Sequence, residues 1–145
     1  MITSNQYFGP KPHSPEQADA ADDLLTRVNA LIDQAVYQGA FSRNVDPDTG
    51  SEISGSKGGA GDGGFRLPTS TTGSSRSSHK EARAVDVYDH HNRLDEYLDT
   101  FDTDEGLGNA VLEQFGLYRE ASAATPGWCH LTTRAPGSGK RTFPV

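Results

Sequence analysis

The amino-acid sequence predicts an α+β fold: a single domain over residues 1–145 with a small antiparallel sheet and flanking helices. The chain has 145 residues, which is enough for one ordinary domain and too few for two. Hydrophobic residues make up only 33% of it, but they are clustered, which favours a small folded core over a disordered chain. The periodic segments occur in the order helix, strands, helices and hairpin, which is typical of α+β rather than alternating strand–helix units.

A long amphipathic helix is predicted after an N-terminal tail of residues 1–13. Ser14 suits the N-cap, Pro15 suits the first helical position, and Gln17 completes a capping box. Apolar residues then recur every three or four positions for about six turns, and Gly39 is the expected stop. The apolar face is expected to cover the core.

Residues 43–64 are predicted to form a glycine-rich loop insertion. A loop of this length inside a compact domain is usually either functional or disordered. Half of the glycines, 8 of 16, lie between positions 50 and 73. The low apolar content therefore describes this stretch rather than the whole domain.

Strands are predicted on both sides of a helical region. Residues 65–67 form a short candidate, and residues 84–88 form a stronger one because they include β-branched residues and alternate with period two. Near the end of the chain, residues 117–120 and 128–131 are predicted to pair as an antiparallel hairpin. Its turn would span residues 121–127.

Two short helices are predicted between the strong strand and the hairpin. Asn92 is the expected N-cap of the first, whose apolar residues again recur at helical spacing. The second is expected over residues 107–115 and should end at Gly116. Both would flank the sheet.

The charge balance excludes several classes of partner. The chain has 13 Lys and Arg against 20 Asp and Glu, a formal net charge of -7. Sequence-independent binding of nucleic acid or of an anionic membrane surface needs a basic face instead. No apolar run is long enough for a membrane span, and the first residues lack the pattern of a secretory signal. We therefore expect no nucleic-acid or membrane partner, and synthesis in a cytoplasm.

His79 and Asp86 are the first candidates for chemistry. Asp86 lies between two valines, so if these face the core its carboxylate faces the opposite side of the sheet. His79 lies seven residues earlier in a predicted loop and can converge on the same point. A carboxylate among apolar neighbours needs a partner, which a metal or a hydrogen-bonded histidine can provide. From residue types alone, the hydrogen-bonded pair is the simpler interpretation.

The spacing of these residues resembles that of a known enzyme family, the M15 class of zinc peptidases. This class includes D-alanyl-D-alanine carboxypeptidases and phage endolysins that cleave peptidoglycan stem peptides. Three motifs carry the resemblance in the family's order: Ser77-x-His79, Ala84-x-Asp86 and Trp128-x-His130. Gly64-Phe65-Arg66 also resembles the family's strand before the first ligand. The match runs from about residue 15 to the end of the chain, apart from the loop 43–64.

The resemblance implies a Hedgehog/DD-peptidase-like fold and a zinc ion held by His79, Asp86 and His130. Two imidazole nitrogens and one carboxylate, with a fourth position open, are typical of catalytic rather than structural zinc. The resemblance also implies that Arg66 lies on the substrate side, where it would hold a carboxylate or the developing oxyanion. A salt bridge between Arg66 and a surface acid is the alternative.

The neighbours of the expected ligands have simpler assignments. Ser77 and Trp128 are expected to contact substrate, although Trp128 would also suit the core. Cys129 should point away from His130, because successive residues of a strand face opposite sides, and it is interpreted as a small core residue. Ala82 stands where the family commonly has glycine, which affects the shape of the loop rather than ligation.

The general base cannot be assigned by motif. Related enzymes usually have Glu or Asp three residues before the last histidine, and here that position is Gly127. If residues 121–127 form the turn, Glu120 lies across from Trp128, one strand-width from His130. Glu120 is therefore our candidate base, and an exposed carboxylate at the rim is the alternative.

Together these patterns predict a phage-type zinc peptidase that hydrolyses an amide bond in peptidoglycan stem peptides. It would be made in the host cytoplasm and reach the wall on lysis, by export or as part of a virion. The alternative is a non-catalytic virion protein that retains the fold and binds other virion proteins. Gly127 and the loop 43–64 favour that alternative.

Overall fold

Four strands form the main sheet in the computed structural model, which describes residues 1–55, 63–70 and 77–144. The strands of the chain are β1 (Ala84–Tyr88), β2 (Asp102–Thr103), β3 (Gly108–Asn109), β4 (Tyr118–Glu120), β5 (Trp128–Thr132) and β6 (Thr142–Phe143). The helices are α1 (Ser4–Phe8), α2 (Pro15–Tyr37), α3 (Arg93–Asp99) and α4 (Ala110–Phe115). The predicted α+β class is confirmed.

The main sheet has the strand order β1-β5-β4-β6. β5 pairs antiparallel with both β1 and β4, so the predicted hairpin of β4 and β5 is confirmed. β6 was not predicted, and it runs parallel to β4 because the chain reverses once after β5. The sheet is therefore mixed rather than purely antiparallel.

The predicted amphipathic helix is confirmed as α2. Ser14 Oγ accepts a hydrogen bond from the backbone of Gln17 at 3.1 Å, and Gln17 Oε1 accepts one from the backbone of Ser14 at 2.8 Å. Its apolar face is buried in the core from Ala21 to Ala35. Within the described ranges, no helix combines the length and the apolar character that a bilayer span requires.

The prediction of an N-terminal tail over residues 1–13 is wrong. This segment contains α1, and Ile2, Tyr7 and Phe8 are buried in the main core. The Tyr7 hydroxyl donates to the Ala84 carbonyl at 2.8 Å, which ties the segment to β1. Three large apolar side chains in so short a stretch give no periodicity, but their burial is enough to order it.

The two short helices start differently from the prediction. Asn92 is the residue before α3, but its side chain makes no capping hydrogen bond. The carboxylate of Asp89 instead accepts from the first backbone amides of the helix, including that of Leu94 at 2.8 Å. The second helix, α4, begins at Ala110 because the residues before it pair as the small hairpin of β2 and β3, and Asn109 caps it.

The region before β1 is less regular than predicted. Residues 65–67 do not form a strand: the Phe65 amide donates to the Tyr7 carbonyl at 3.0 Å and the Arg66 amide to the His79 carbonyl at 3.1 Å. Of the predicted loop 43–64, residues 56–62 lie outside the described part. The described part is anchored by Ile53, which is buried and forms a bridge with Val87 of β1.

A buried arginine joins β4 to its neighbours. Arg119 is fully buried and donates to Asp95 at 2.9 Å, to Asp102 at 2.7 Å and to Asp99. It also donates to Thr142 Oγ1 of β6 at 3.0 Å. One guanidinium therefore ties β4 to α3, β2 and β6.

Replacing Arg119 with methionine is expected to lower the free energy of unfolding by about 3–5 kcal/mol, because it leaves the buried carboxylate of Asp95 without its counter-ion. Urea unfolding followed by circular dichroism would measure the loss. Arg93→Ala is the control: this arginine is exposed, and its loss should change stability by no more than about 0.5 kcal/mol. Equal stability of Arg119→Met and the unmodified protein would contradict the assignment.

Candidate metal centre

His79, Asp86 and His130 come together at one point. Their ligand atoms all lie within 4.8 Å of one another. Asp86 Oδ1 is 2.8 Å from His130 Nδ1 and 3.4 Å from His79 Nε2. Within the part of the chain that the structure describes, this is the one such group of three His, Cys, Asp or Glu side chains.

Strand alternation explains why two of the three side chains meet. Asp86 of β1 and His130 of β5 are direct partners in the antiparallel register. Val85 and Val87 are buried in the core, which is the condition stated from the sequence, so Asp86 projects to the other face of the sheet. Cys129 is fully buried on the core side, and burial raises the pKa of its thiol, so it stays protonated and away from the site.

His79 comes from a 3-10 turn, Ser78–Glu81, just before β1. Its Nδ1 lies 2.9 Å from the Gly64 carbonyl oxygen. Since a carbonyl can only accept, Nδ1 donates its proton to Gly64, and Nε2 is the ring nitrogen that faces Asp86. Metal-ligating histidines are commonly oriented by such a bond from the second ring nitrogen.

The turn that carries His79 keeps a glycine-like shape despite Ala82. Ala82 has φ 58°, in the left-handed region that favours glycine. Its amide donates to the His79 carbonyl at 3.3 Å and closes the turn. Alanine at position 82 is therefore compatible with the turn that places His79 in the group.

The electrostatics of the group favour positive charge beside Asp86. Burial raises the pKa of Asp86, but the charge of His79 and hydrogen bonds from both histidines outweigh it and hold this pKa below its usual range. Burial lowers the pKa of His130, but the hydrogen bond and charge of Asp86 outweigh it, so this pKa is raised. A metal cation would supply the same positive charge and displace the proton, since a ligating histidine must be neutral.

The triad lies in a cleft of about 620 Å³. Every site residue expected from the sequence lines it: Arg66, Ser77, His79, Asp86, Glu120, Trp128 and His130. Trp128 is half-buried in its wall rather than part of the core. The cleft thus brings together all the residues that the resemblance and the strand geometry selected.

Glu120 lies closer to the ligands than the sequence indicated. The register of β4 and β5 pairs Tyr118 with Thr132 and Arg119 with Leu131, so the next residue, Glu120, stands opposite His130 and not Trp128. The expected pairing is wrong because the first residues of β5 pair only with β1. Burial raises the pKa of Glu120, and the charge of nearby His130 lowers it. The effect of burial is the larger, so the pKa is raised overall.

Gly127 has a structural use that excludes a side-chain base at its position. Its φ is 93°, in the left-handed region that favours glycine. Its amide donates to Asn92 Oδ1 at 2.9 Å, and its carbonyl accepts from the Asp89 amide at 3.0 Å. Gly127 therefore holds the turn against the start of α3.

Within the described residues, Arg66 pairs with the carboxylate of the triad. Its Nη2 lies 3.7 Å from Asp86 Oδ2, and its Nη1 lies 3.5 Å from Ser77 Oγ. The side chain is largely buried and lines the cleft next to the ligand carboxylate. Arg66 therefore places a cation beside the carboxylate of the triad.

Sequence reasoning did not assign roles to several other lining residues. Phe143 of β6 stands edge-on to the His130 ring at 6.1 Å between centroids. Arg134 lies at the mouth of the cleft and pairs with Glu81 at 3.2 Å. The closing segment was part of the family resemblance, but nothing in its residue types showed that it returns as a parallel strand beside β4.

Comparison of the chain with protein-family models, curated proteins and solved structures finds no match. Any assignment of function therefore depends on the sequence motifs and on the geometry of the cleft.

Proposed function

We propose that this protein is a zinc-dependent peptidase that hydrolyses an amide bond in peptidoglycan stem peptides, with the Hedgehog/DD-peptidase-like fold of the M15 class. The observation that supports it is the grouping of His79, Asp86 and His130 within 4.8 Å at the floor of an open cleft. Two imidazoles and a carboxylate suit zinc, and three protein ligands leave a position for substrate or water.

Each residue of the cleft then has a role in hydrolysis. Zinc held by the triad would supply Lewis-acid activation of water and of the scissile carbonyl. The Glu120 carboxylate, opposite His130, would accept the proton of the attacking water and return it to the leaving amine. The Arg66 guanidinium would bind a peptide carboxylate or the developing oxyanion. Trp128 and Phe143 would form the walls that hold the peptide.

Purified protein is expected to contain about one zinc ion per chain, because the chain offers one three-ligand group in its described part. Elemental analysis by mass spectrometry would measure it. A turbidity assay on bacteria with exposed peptidoglycan should show lysis that disappears with a chelator and returns with zinc but not magnesium, which prefers oxygen ligands. Undiminished lysis in chelator would contradict a metal-dependent mechanism.

A non-catalytic virion protein with the same fold is the second candidate. Gly127 favours it, because the position usually occupied by the base has no side chain. This candidate predicts zinc bound without lysis, and contacts with other virion proteins instead of substrate. The same turbidity assay, run on zinc-loaded protein, separates the two.

A further inference from the structure

A second concavity, of about 480 Å³, is lined by three arginines. We call it the arginine pocket: Arg27 of α2, Arg83 before β1 and Arg141 before β6. Asp23 is the one acidic residue among the lining residues. The pocket therefore has an excess of positive charge in a chain whose net charge is -7.

Two of the three guanidinium groups are held by neutral acceptors. Arg83 donates to the hydroxyl and the carbonyl of Thr133, at 3.4 Å and 3.5 Å. Arg141 donates to the Leu117 carbonyl at 3.0 Å and lies over the ring of Tyr118, 4.2 Å from its centroid. Neither has a carboxylate within 4.0 Å in the described ranges.

The third guanidinium is fixed at the pocket wall. Arg27 pairs with exposed Asp23 at 3.0 Å and donates through Nη1 to the Phe115 carbonyl at 3.0 Å. A Cβ at Gly116 would lie only 2.3 Å from that Nη1, so the glycine makes room for it. Each arginine is therefore oriented by a backbone carbonyl. A carbonyl is a neutral acceptor, so this hydrogen bond does not neutralise the positive charge of the guanidinium.

The three guanidinium groups have more N–H donors than the hydrogen bonds described above use. A guanidinium has five N–H donors, and the hydrogen bonds above use two on Arg27, two on Arg83 and one on Arg141. Three half-buried cations around one concavity repel each other, and an anion among them would relieve that repulsion. The arrangement is that of an anion-binding site.

We propose that the arginine pocket binds a phosphate group carried by a small molecule. A phosphate monoester is a dianion whose three free oxygens can each accept from a different arginine, whereas a carboxylate has only two oxygens. The volume falls in the range of small-molecule sites and exceeds what inorganic phosphate alone would fill. A net charge of -7 opposes long polyanions, which favours a small ligand over a phosphodiester polymer.

The pocket does not require the proposed hydrolysis. Among the described residues, the pocket and the cleft share no lining residue. A binding measurement without peptide therefore tests the pocket alone, and its failure would leave the zinc peptidase proposal unaffected.

Isothermal titration with inorganic phosphate and with glycerol 3-phosphate, in a phosphate-free buffer of low ionic strength, tests the proposal. We expect saturable binding of one equivalent, tighter for glycerol 3-phosphate, and weaker as salt is added. Arg83→Ala and Arg141→Ala should each weaken binding about tenfold or more, because each removes charge-assisted hydrogen bonds. A poly(glycerol phosphate) chain should bind more weakly than the monoester, and tighter binding of the polymer would overturn the choice of a small ligand.

Two controls separate this pocket from other cations. Arg93→Ala removes an exposed arginine that does not line the pocket, and it should bind phosphate as the unmodified protein does. Arg66→Ala removes the cation of the metal-binding cleft, where phosphate could also bind, and it should leave the affinity unchanged. Loss of binding in Arg66→Ala, or no loss in Arg83→Ala and Arg141→Ala, would overturn the proposal. Circular dichroism of each variant shows whether it is folded.

Discussion

Replacing His79 with alanine is expected to abolish both zinc binding and peptidoglycan hydrolysis. The substitution leaves two of the three ligands, Asp86 and His130, and removes the one whose ring is fixed by the Gly64 carbonyl. A metal ion contributes several kcal/mol to such a reaction, and about 1.4 kcal/mol corresponds to a factor of ten in rate. We therefore expect the rate of lysis to fall by at least about 10³-fold. Zinc content by mass spectrometry and turbidity measure the two effects.

The control for this substitution must separate loss of a ligand from loss of a buried ring. His79 is only 3% exposed, so its removal also leaves a cavity. Thermal unfolding of the variant is therefore compared with that of the unmodified protein in chelator, which has lost the metal but keeps the ring. His90→Ala removes an exposed histidine outside the cleft and should leave zinc and lysis unchanged. Full zinc content and full lysis in a folded His79→Ala protein would refute the metal centre.

The ligand face could be predicted from the sequence because a strand alternates with period two. Once Val85 and Val87 are assigned to the core, Asp86 must face the other side, and the same rule separates His130 from Cys129. The helix α2 could be predicted for a similar reason, since its cap and its apolar spacing are both local. These features depend only on residues close together in the chain.

The features that could not be predicted depend on contacts between distant parts of the chain. β6 becomes a strand by pairing with β4, and no local pattern marks two residues as a strand. The first residues are ordered by contacts with segments that are distant in the chain, such as the hydrogen bond from the Tyr7 hydroxyl to the Ala84 carbonyl. The position of Glu120 depends on where β4 ends, because a shift of the register changes which residue it faces.

The Arg119 network connects this distant packing to the cleft. Arg119 and Glu120 are adjacent on β4, so their side chains lie on opposite faces, one in the buried charge network and the other in the cleft. The network also holds Thr142, the neighbour of Phe143 in the cleft wall. The charges under the sheet thus fix the strand that presents the candidate base.

Glu120→Gln is expected to lower kcat by about 10²–10⁴-fold while zinc content and folding stay unchanged. Glutamine has nearly the same shape as glutamate, but its amide cannot accept the proton of the attacking water. KM should change little, because Glu120 acts on the water rather than on the peptide. Release of amino groups from purified peptidoglycan, measured at several substrate concentrations, gives kcat and KM separately.

This substitution also discriminates between the two candidate functions, because only a peptidase depends on a proton acceptor beside its metal. Glu96→Gln is the matched control, since Glu96 is exposed on α3 and does not line the cleft. If Glu120→Gln leaves kcat unchanged in a zinc-dependent enzyme, another group must accept the proton of the attacking water. Arg66 cannot, because a guanidinium has no acceptor, and neither can Gly127, which has no side chain. Among the acidic residues lining the described cleft, Asp86 is assigned to the metal, so Glu120 is the carboxylate left to act as the base.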